Sequence, residues 1–165
     1  MTIRPLEDRD WPAVWAIFQE VVSRGDTFVF APDTPESEAK RIWTAGQGFV
    51  AEEDGQILGS SYLKPNQPGL GDHVANAGFM VASSARGKGV GRKLGEHAIQ
   101  TAREEGYRAM QFNYVVCTNR SAIRLWTSLG FQTVGRVPSA FRHATLGPVD
   151  VLIMYRVLGP YAEGV

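Results

Sequence analysis

The chain has 165 residues, and its 17 basic and 17 acidic side chains give a formal net charge of zero. This length suits a single core, so we expect one domain over residues 1–165. The balanced charge excludes an overall field that would attract nucleic acid or a membrane surface, so any anion site must be local. Cys117 has no second cysteine to pair with, and no apolar run approaches 18 residues. We therefore expect a cytoplasmic protein without a nucleic-acid or membrane partner.

The chain begins with a predicted strand and two predicted helices. TIRPL at 2–6 is typical of a short strand, and apolar side chains recur at helical spacing over 11–25. Asp8 and Asp10 precede this helix and are its expected N-caps. A second short helix is predicted over 35–46.

The rest of the chain alternates between strands and helices. Asp54-Gly55 favours a tight turn and predicts a hairpin within 48–65, and an apolar strand follows over 72–82. Helix, strand, helix, strand and a closing strand come next, over 91–106, 107–117, 119–130, 131–137 and 149–158. This order predicts an α/β fold in the broad sense, a mixed sheet with helices on both faces. The apolar closing strand would suit pairing across a two-fold axis, so a homodimer stays open.

The stretch SSARGKGVGRKLGEHA at 83–98 has three alternating glycines between a strand and a helix. A helix N-terminus presents unpaired N–H groups, and glycine lets the backbone approach an anion closely. Residues 86–91 are therefore expected to wrap a pyrophosphate, with attraction from Arg86, Lys88 and Arg92. A tight turn before a basic helix start is the alternative. The glycine spacing excludes both a P-loop and a dinucleotide-binding fingerprint.

Two motifs together resemble the GCN5-related N-acetyltransferase (GNAT) family. The R-G-x-G-x-G loop follows a strand ending in FMV, and NRSAIRLWTSLGF at 119–131 matches the family signature N-x-x-A-x-x-L-[YW]-x-x-x-G-F. The predicted element order is also that of the family. The resemblance implies the GNAT fold, with about seven mostly antiparallel strands and splayed fourth and fifth strands. It also implies acetyl-CoA as co-substrate.

The resemblance implies the cofactor contacts as well. The backbone of 79–81 would pair with the pantetheine amides, the glycine loop would hold the pyrophosphate, and Asn119 would contact the pantetheine arm. Trp126 stands where many family members have a tyrosine proposed to protonate the thiolate, so we expect it to pack against this arm. Tyr114, water or unassisted departure of the thiolate remain as alternatives. The expected cofactor-binding residues are Phe79, Met80, Val81, Arg86, Gly87, Lys88, Gly89, Val90, Gly91, Asn119 and Trp126.

Asn76 and Asn113 each interrupt an apolar predicted strand. A buried amide without a hydrogen bond destabilises by roughly 1–3 kcal/mol, so either each pairs with backbone or both face the acetyl acceptor. NAGF, FN and GRVP also resemble the fungal azetidine-2-carboxylate N-acetyltransferases, in which the matching asparagines are implicated in acceptor binding and catalysis. The resemblance therefore implies that Asn76 and Asn113 are catalytic and bind substrate. Phe28 and Phe30 stand where acceptor-covering loops lie, and are expected to bind substrate too.

The leading hypothesis is an acetyl-CoA-dependent N-acetyltransferase that acts on a small-molecule amine. The acceptor would be a small amino acid or a cyclic imino-acid analogue, and its amine would attack the thioester directly. Two alternatives stay open: a protein N-terminal or lysine acetyltransferase, and a non-catalytic acyl-CoA-binding or sensing module. No metal is expected, because His73, His97 and His143 lack metal-ligand spacing. A place for His143 near the acceptor is a further open alternative.

Overall fold

A seven-stranded sheet organises residues 1–159, which are the residues that the structure, a computed structural model, describes. The helices and strands are β1 (Thr2–Pro5), α1 (Trp11–Ser23), α2 (Glu36–Trp43), β2 (Gln47–Glu53), β3 (Gln56–Pro65), β4 (Val74–Val81), α3 (Val90–Glu104), β5 (Ala109–Val116), α4 (Arg120–Ser128), β6 (Gln132–His143) and β7 (Gly147–Val157). This is the predicted order. The predicted single domain extends over residues 160–165, which lie outside the described residues.

The strands lie in the order β1-β2-β3-β4-β5-β7-β6. Neighbouring strands are antiparallel except for β4 and β5, which are parallel. This confirms the predicted mixed, mostly antiparallel sheet. No helix within residues 1–159 is long and apolar enough to cross a bilayer.

Helices cover both faces of the sheet, as predicted. Because side chains alternate along a strand, Val50 of β2 packs with α1 and α2, whereas its neighbour Ala51 packs with α3. Trp126 of α4 lies in the cluster on the α3 side. Burial of each large apolar side chain in these clusters stabilises the fold by roughly 1.5–3 kcal/mol.

The sheet divides between β4 and β5. The two strands pair only at Val74 with Ala109 and at Ala75 with Met110. Beyond Ala75, β4 continues to pair with β3 up to Val81, while β5 pairs with β7. The edge of β4 that faces β5 therefore has no strand partner over its last six residues. The predicted splay of the fourth and fifth strands is confirmed.

Two local predictions are wrong. Asp10 does not cap α1 with its side chain: its carboxylate instead accepts hydrogen bonds from the Arg4 guanidinium, at 2.7 and 2.8 Å, and from the Glu7 N–H. The sixth strand does not end at residue 137 but continues to His143. A bulge between Val137 and Phe141 interrupts its pairing with β7, because Pro138 lacks an N–H and the next residue has a positive φ.

Candidate active site

A cavity of about 1130 Å³ occupies the gap between β4 and β5. The glycine loop lies at one end of it, and the segment between α1 and α2 lies at the other. Most of the sequence-predicted site residues line this one cavity: Phe28, Phe30, Asn76, Phe79, Met80, Val81, Arg86, Gly87, Gly89, Val90, Gly91, Asn113, Asn119 and Trp126. Lys88 does not line it, although residues on both sides do.

The glycine loop has a backbone that only glycine adopts easily. Gly87 and Gly89 have φ angles of +77° and +78°, and Gly89 is the N-cap of α3. A Cβ built at either residue would meet nothing within 4 Å, so the space beside the loop is open. The loop thus presents backbone, free of side chains, to an anion at a helix N-terminus. This geometry fits the pyrophosphate of a coenzyme A.

Glu20 of α1 anchors the start of this loop. Its two carboxylate oxygens accept the Ser83 N–H at 3.1 and 3.3 Å. Hydrogen bonding from the Ser83 side chain and backbone, together with the nearby Arg24 and Arg86 charges, lowers the pKa of Glu20. One carboxylate therefore ties α1 to the loop.

Aromatic side chains close the α3 side of the cavity. The Trp126 ring centroid lies 4.7 Å from that of Phe79 and 4.7 Å from that of Phe112. Trp126 is only 7% exposed, and a Cβ built at Gly95 would lie 2.9 Å from its ring. Trp126 is thus a packing residue of the cavity wall, and its expected contact with the pantetheine arm stays a prediction.

Polar groups at the start of α4 face the same cavity. The Asn119 side-chain oxygen accepts the Ala122 N–H at 3.2 Å and so caps the helix. Thr118 Oγ1 is buried, lines the cavity and has no hydrogen-bond partner in the described part of the chain. Such an orphaned hydroxyl is a ready contact for a polar ligand.

Asn76 lies where β4 and β5 separate. Its Nδ2 donates a hydrogen bond to the backbone oxygen of Gln111, at 2.9 Å. This bond follows directly after the last backbone pair between the two strands, Ala75 with Met110. A side-chain hydrogen bond therefore connects β4 to β5 where the backbone pairing ends. Pairing with backbone, one of the two alternatives for Asn76, is therefore observed for its Nδ2 group. Asn76 also lines the cavity.

Asn113 lies in a bulge of β5 and is held by two other amides. Its Oδ1 accepts from Gln111 Nε2 at 2.9 Å, and its Nδ2 donates to Asn66 Oδ1 at 2.6 Å. The side chain is exposed towards the cavity rather than buried in the strand. An amide has two donor hydrogens and two acceptor lone pairs, so each end keeps one free position for a ligand.

Aromatic residues form the other end of the cavity. Phe28 and Phe30 are partly buried, and their ring centroids lie 6.2 Å from Trp43 and 5.6 Å from Phe18 respectively. The Tyr62 ring lies over Gly78 of β4, where an added Cβ would be 2.4 Å from the ring. Burial raises the pKa of Tyr62, so its phenol stays protonated at neutral pH.

The turn between β6 and β7 reaches across to α1 at this end. The Ala144 N–H donates to the Gly25 oxygen at 2.9 Å, and the adjacent His143 lines the cavity. His143 Nδ1 accepts from the Thr145 N–H at 3.2 Å. In the neutral ring this bond places the proton on Nε2, which is then a hydrogen-bond donor. Among residues 1–159, no three His, Cys, Asp or Glu side chains form a metal-binding group.

The family model described as "Acetyltransferase (GNAT) family" matches residues 9–131. The chain belongs to the GNAT family. A solved GCN5-related N-acetyltransferase from Kribbella flavida is 47% identical, with a TM-score of 0.92 over 95% of this chain and 97% of that chain. A GNAT phosphinothricin acetyltransferase from Sinorhizobium meliloti, solved in complex with acetyl-CoA, is 24% identical with a TM-score of 0.85. It shares the fold over 99% of this chain and 94% of its own.

Curated relatives match different portions of this GNAT chain. N-acetyltransferase aca1 from Schizosaccharomyces pombe is 42% identical over 86 residues, which are 52% of this chain and 41% of that protein. The match therefore spans less than half of this relative. Phosphinothricin N-acetyltransferase from Alcaligenes faecalis is 29% identical over 164 residues, covering 95% of this chain and 82% of that protein.

Sequence reasoning missed several residues of this GNAT site. Glu20 and Asn66 act through contacts 63 and 47 residues away in sequence, which no local pattern reveals. Tyr62 and Lys64 also line the cavity. Alternation along the strand SSYLKP places these two side chains on the same face of the sheet, and this signal was present in the sequence.

Proposed function

We propose that this GNAT chain transfers an acetyl group from acetyl-CoA to the amine of a small amino acid or a cyclic imino acid. The observation that carries the proposal is the single cavity between β4 and β5, with the glycine loop at one end and the amide cluster at the other. Donor and acceptor sites that share one cavity allow direct transfer between two bound molecules.

The donor end is supported by two features of the backbone and by two arginine side chains. The loop at Gly87 and Gly89 leaves open space beside N–H groups at the start of α3. The unpaired edge of β4 at 79–81 offers N–H and C=O groups to the peptide-like pantetheine arm, as a strand would. Arg86 and Arg120 line the cavity and add positive charge for phosphates. Bound acetyl-CoA supplies the activated acetyl thioester.

The acceptor end is supported by its size, its amides and its relatives. Phe28 and Phe30 cover the cavity from the α1 side, which suits a small ligand better than an extended peptide. Asn76 and Asn113 offer hydrogen bonds that do not depend on pH. The Alcaligenes relative, which matches nearly the whole chain, carries the name of an enzyme that acetylates phosphinothricin, a small amino acid.

The chain's own residues suit direct attack by a free amine. An N–H of β4 near Val81 is placed to donate a hydrogen bond to the developing oxyanion. Trp126 offers no useful acid, and the Tyr114 hydroxyl already donates to the Ala140 oxygen. A thiol pKa near 8.5 makes the thiolate a good leaving group without an acid. We therefore propose that the thiolate departs without a protein proton donor, and that the attacking nitrogen loses its proton to water.

A turnover panel tests the proposal. Purified protein with acetyl-CoA is given proline, azetidine-2-carboxylate, alanine and methionine, a peptide with a free N-terminus, and a lysine-containing peptide, while thiol release is followed. We expect release with at least one small amino or imino acid and acetylated product by mass spectrometry. Release with peptides alone would support the protein acetyltransferase alternative instead. Tight coenzyme A binding without release on any amine would support the non-catalytic module.

A further inference from the structure

Five lysine and arginine side chains line the cavity: Arg24, Lys64, Arg86, Arg92 and Arg120. Two of them have carboxylate partners nearby. Arg24 lies 3.7 Å from Glu20 and 3.5 Å from Asp26, and Arg92 lies 3.4 Å from Glu96. Arg86 and Arg120 flank the glycine loop and the start of α4, where the cofactor phosphates are proposed. Lys64 differs from Arg86, Arg92 and Arg120 in its position, and it differs from Arg24 in having no carboxylate partner within 4 Å among the described residues.

Lys64 has no carboxylate within 4 Å of its Nζ among the described residues. The Lys64 charge lies over the Tyr62 ring, whose centroid is 5.4 Å from Nζ. The side chain is half-buried in the cavity wall, and the residue directly opposite it on β4 is the neutral amide Asn76. A half-buried cation without an anion is a site for an anionic group of the ligand.

The position of Lys64 in the sheet excludes the cofactor phosphates as that anion. Lys64 pairs with Asn76 across the β3–β4 ladder, whereas the glycine loop begins after Val81. Five strand residues separate the two points, which is about 16 Å along β4. Lys64 therefore lies at the acceptor end.

The geometry of the pair fits an α-amino acid. Directly opposed residues of an antiparallel pair have Cβ atoms about 4.5–5.5 Å apart and share a face. In an amino or imino acid the amine and the carboxylate are bonded to one carbon. An amine beside Asn76 therefore places its carboxylate within reach of the flexible Lys64 side chain. The same charge repels acceptors that are themselves cationic, such as polyamines or basic peptides.

We propose that Lys64 binds the carboxylate of the acetyl acceptor and so selects amino or imino acids with a free carboxylate over their amides. The inference rests on the proposed function and names its acceptor class. Lys64 is a substrate-binding residue in this proposal, and it takes no part in proton transfer.

Matched acid and amide acceptors test this role. L-Proline and azetidine-2-carboxylate are compared with their carboxamides, using wild type, Lys64→Gln, Lys64→Arg and Lys40→Gln. Lys40 is the matched control, because it also lies over an aromatic ring, that of Trp11 at 5.8 Å, and does not line the cavity. Each acceptor is compared between variants, so the different amine pKa values of acid and amide cancel.

We expect Lys64→Gln to lower kcat/KM for the acids by about 10- to 100-fold, mainly through KM, because it removes a charge-assisted hydrogen bond. The amides should change less than about threefold, and Lys64→Arg should recover most of the activity on the acids. Lys40→Gln should match wild type on every acceptor. Thermal melting and coenzyme A affinity of each variant show that fold and donor site are intact.

An equal loss on acids and amides, or no loss on the acids, would overturn the role of Lys64 while leaving the acetyltransferase proposal standing. If wild type binds coenzyme A but acetylates neither these pairs nor any small amino acid of the turnover panel, both proposals fail. If Lys64→Gln no longer binds coenzyme A, the test rests on Lys64→Arg. An arginine variant that folds but loses more kcat/KM on the acids than on the amides, each relative to wild type, contradicts carboxylate binding.

Discussion

The glycine loop and the acceptor end belong to one cavity but are lined by different kinds of groups. At the loop, Gly87 and Gly89 leave open space without side chains, so that backbone N–H groups would face a bound anion. At the acceptor end, side chains from separate strands and loops meet, among them Lys64 and Asn113. Backbone recognition depends on local conformation and so keeps a sequence signature. Side-chain recognition depends on which strands are neighbours, so it varies without changing the fold.

The largest expected effect is the loss of coenzyme A binding through a change in the glycine loop alone. Gly89→Glu places a side chain at a φ of +78° and a negative charge beside the proposed phosphates. We expect coenzyme A affinity to fall by about 100-fold or more, measured by calorimetry. Gly55→Glu is the control, since Gly55 has a φ of +75° with equally open surroundings and lies in the β2–β3 hairpin. Unchanged affinity in Gly89→Glu would refute the phosphate loop.

A second substitution should impair the use of the acceptor amine alone. Asn113→Ala should lower kcat/KM for the active amine by about 10- to 30-fold and leave coenzyme A affinity unchanged. Asn66→Ala is the graded control, because the Asn66 side chain holds the Asn113 side chain and Asn66 is not among the residues that line the cavity. It should have a smaller effect on the same amine. If Asn113→Ala turns over every active amine at the wild-type rate, the residue does not bind substrate.

A third change tests the scaffold that both halves share. Asp10 is only 6% exposed and binds Arg4, which lowers the pKa of Asp10. Asp10→Asn should destabilise the fold by about 2 kcal/mol at pH 7, measured by urea unfolding. Since the carboxylate is stabilising only when ionised, this difference should shrink as the pH falls below about 4. Asp8→Asn is the control, because the Asp8 side chain is 96% exposed and, among the described residues, pairs only with Lys40. It should change stability by less than about 0.5 kcal/mol.

The smallest expected effect concerns the wall between the halves. Trp126 packs between Phe79 and Phe112, so Trp126→Phe should keep kcat within about threefold of wild type. Steady-state thiol release at saturating acceptor measures this. A loss of more than about tenfold in a variant that melts like wild type would mean that the indole N–H contributes to catalysis.

The order of elements and the position of the glycine loop before a helix were predictable because both rest on local signals. Hydrophobic periodicity marks the helices and strands, and the alternating glycines mark the phosphate loop. The link between Asn66 and Asn113 was not predictable, because it depends on how far two strands diverge. The Asp10 carboxylate was assigned to a cap because its partner Arg4 lies on another element. The extension of β6 past Pro138 was not predicted, because proline usually ends a strand. Here a bulge accommodates the proline, and pairing with β7 resumes at Phe141.

A crystal structure with coenzyme A and the best small acceptor tests the account most directly. We predict the pyrophosphate on the N–H groups of 86–91, the acceptor amine between Asn76 and Asn113, and its carboxylate on Lys64. An acceptor bound outside the gap between β4 and β5, or a pyrophosphate held away from the glycine loop, would contradict the proposed function.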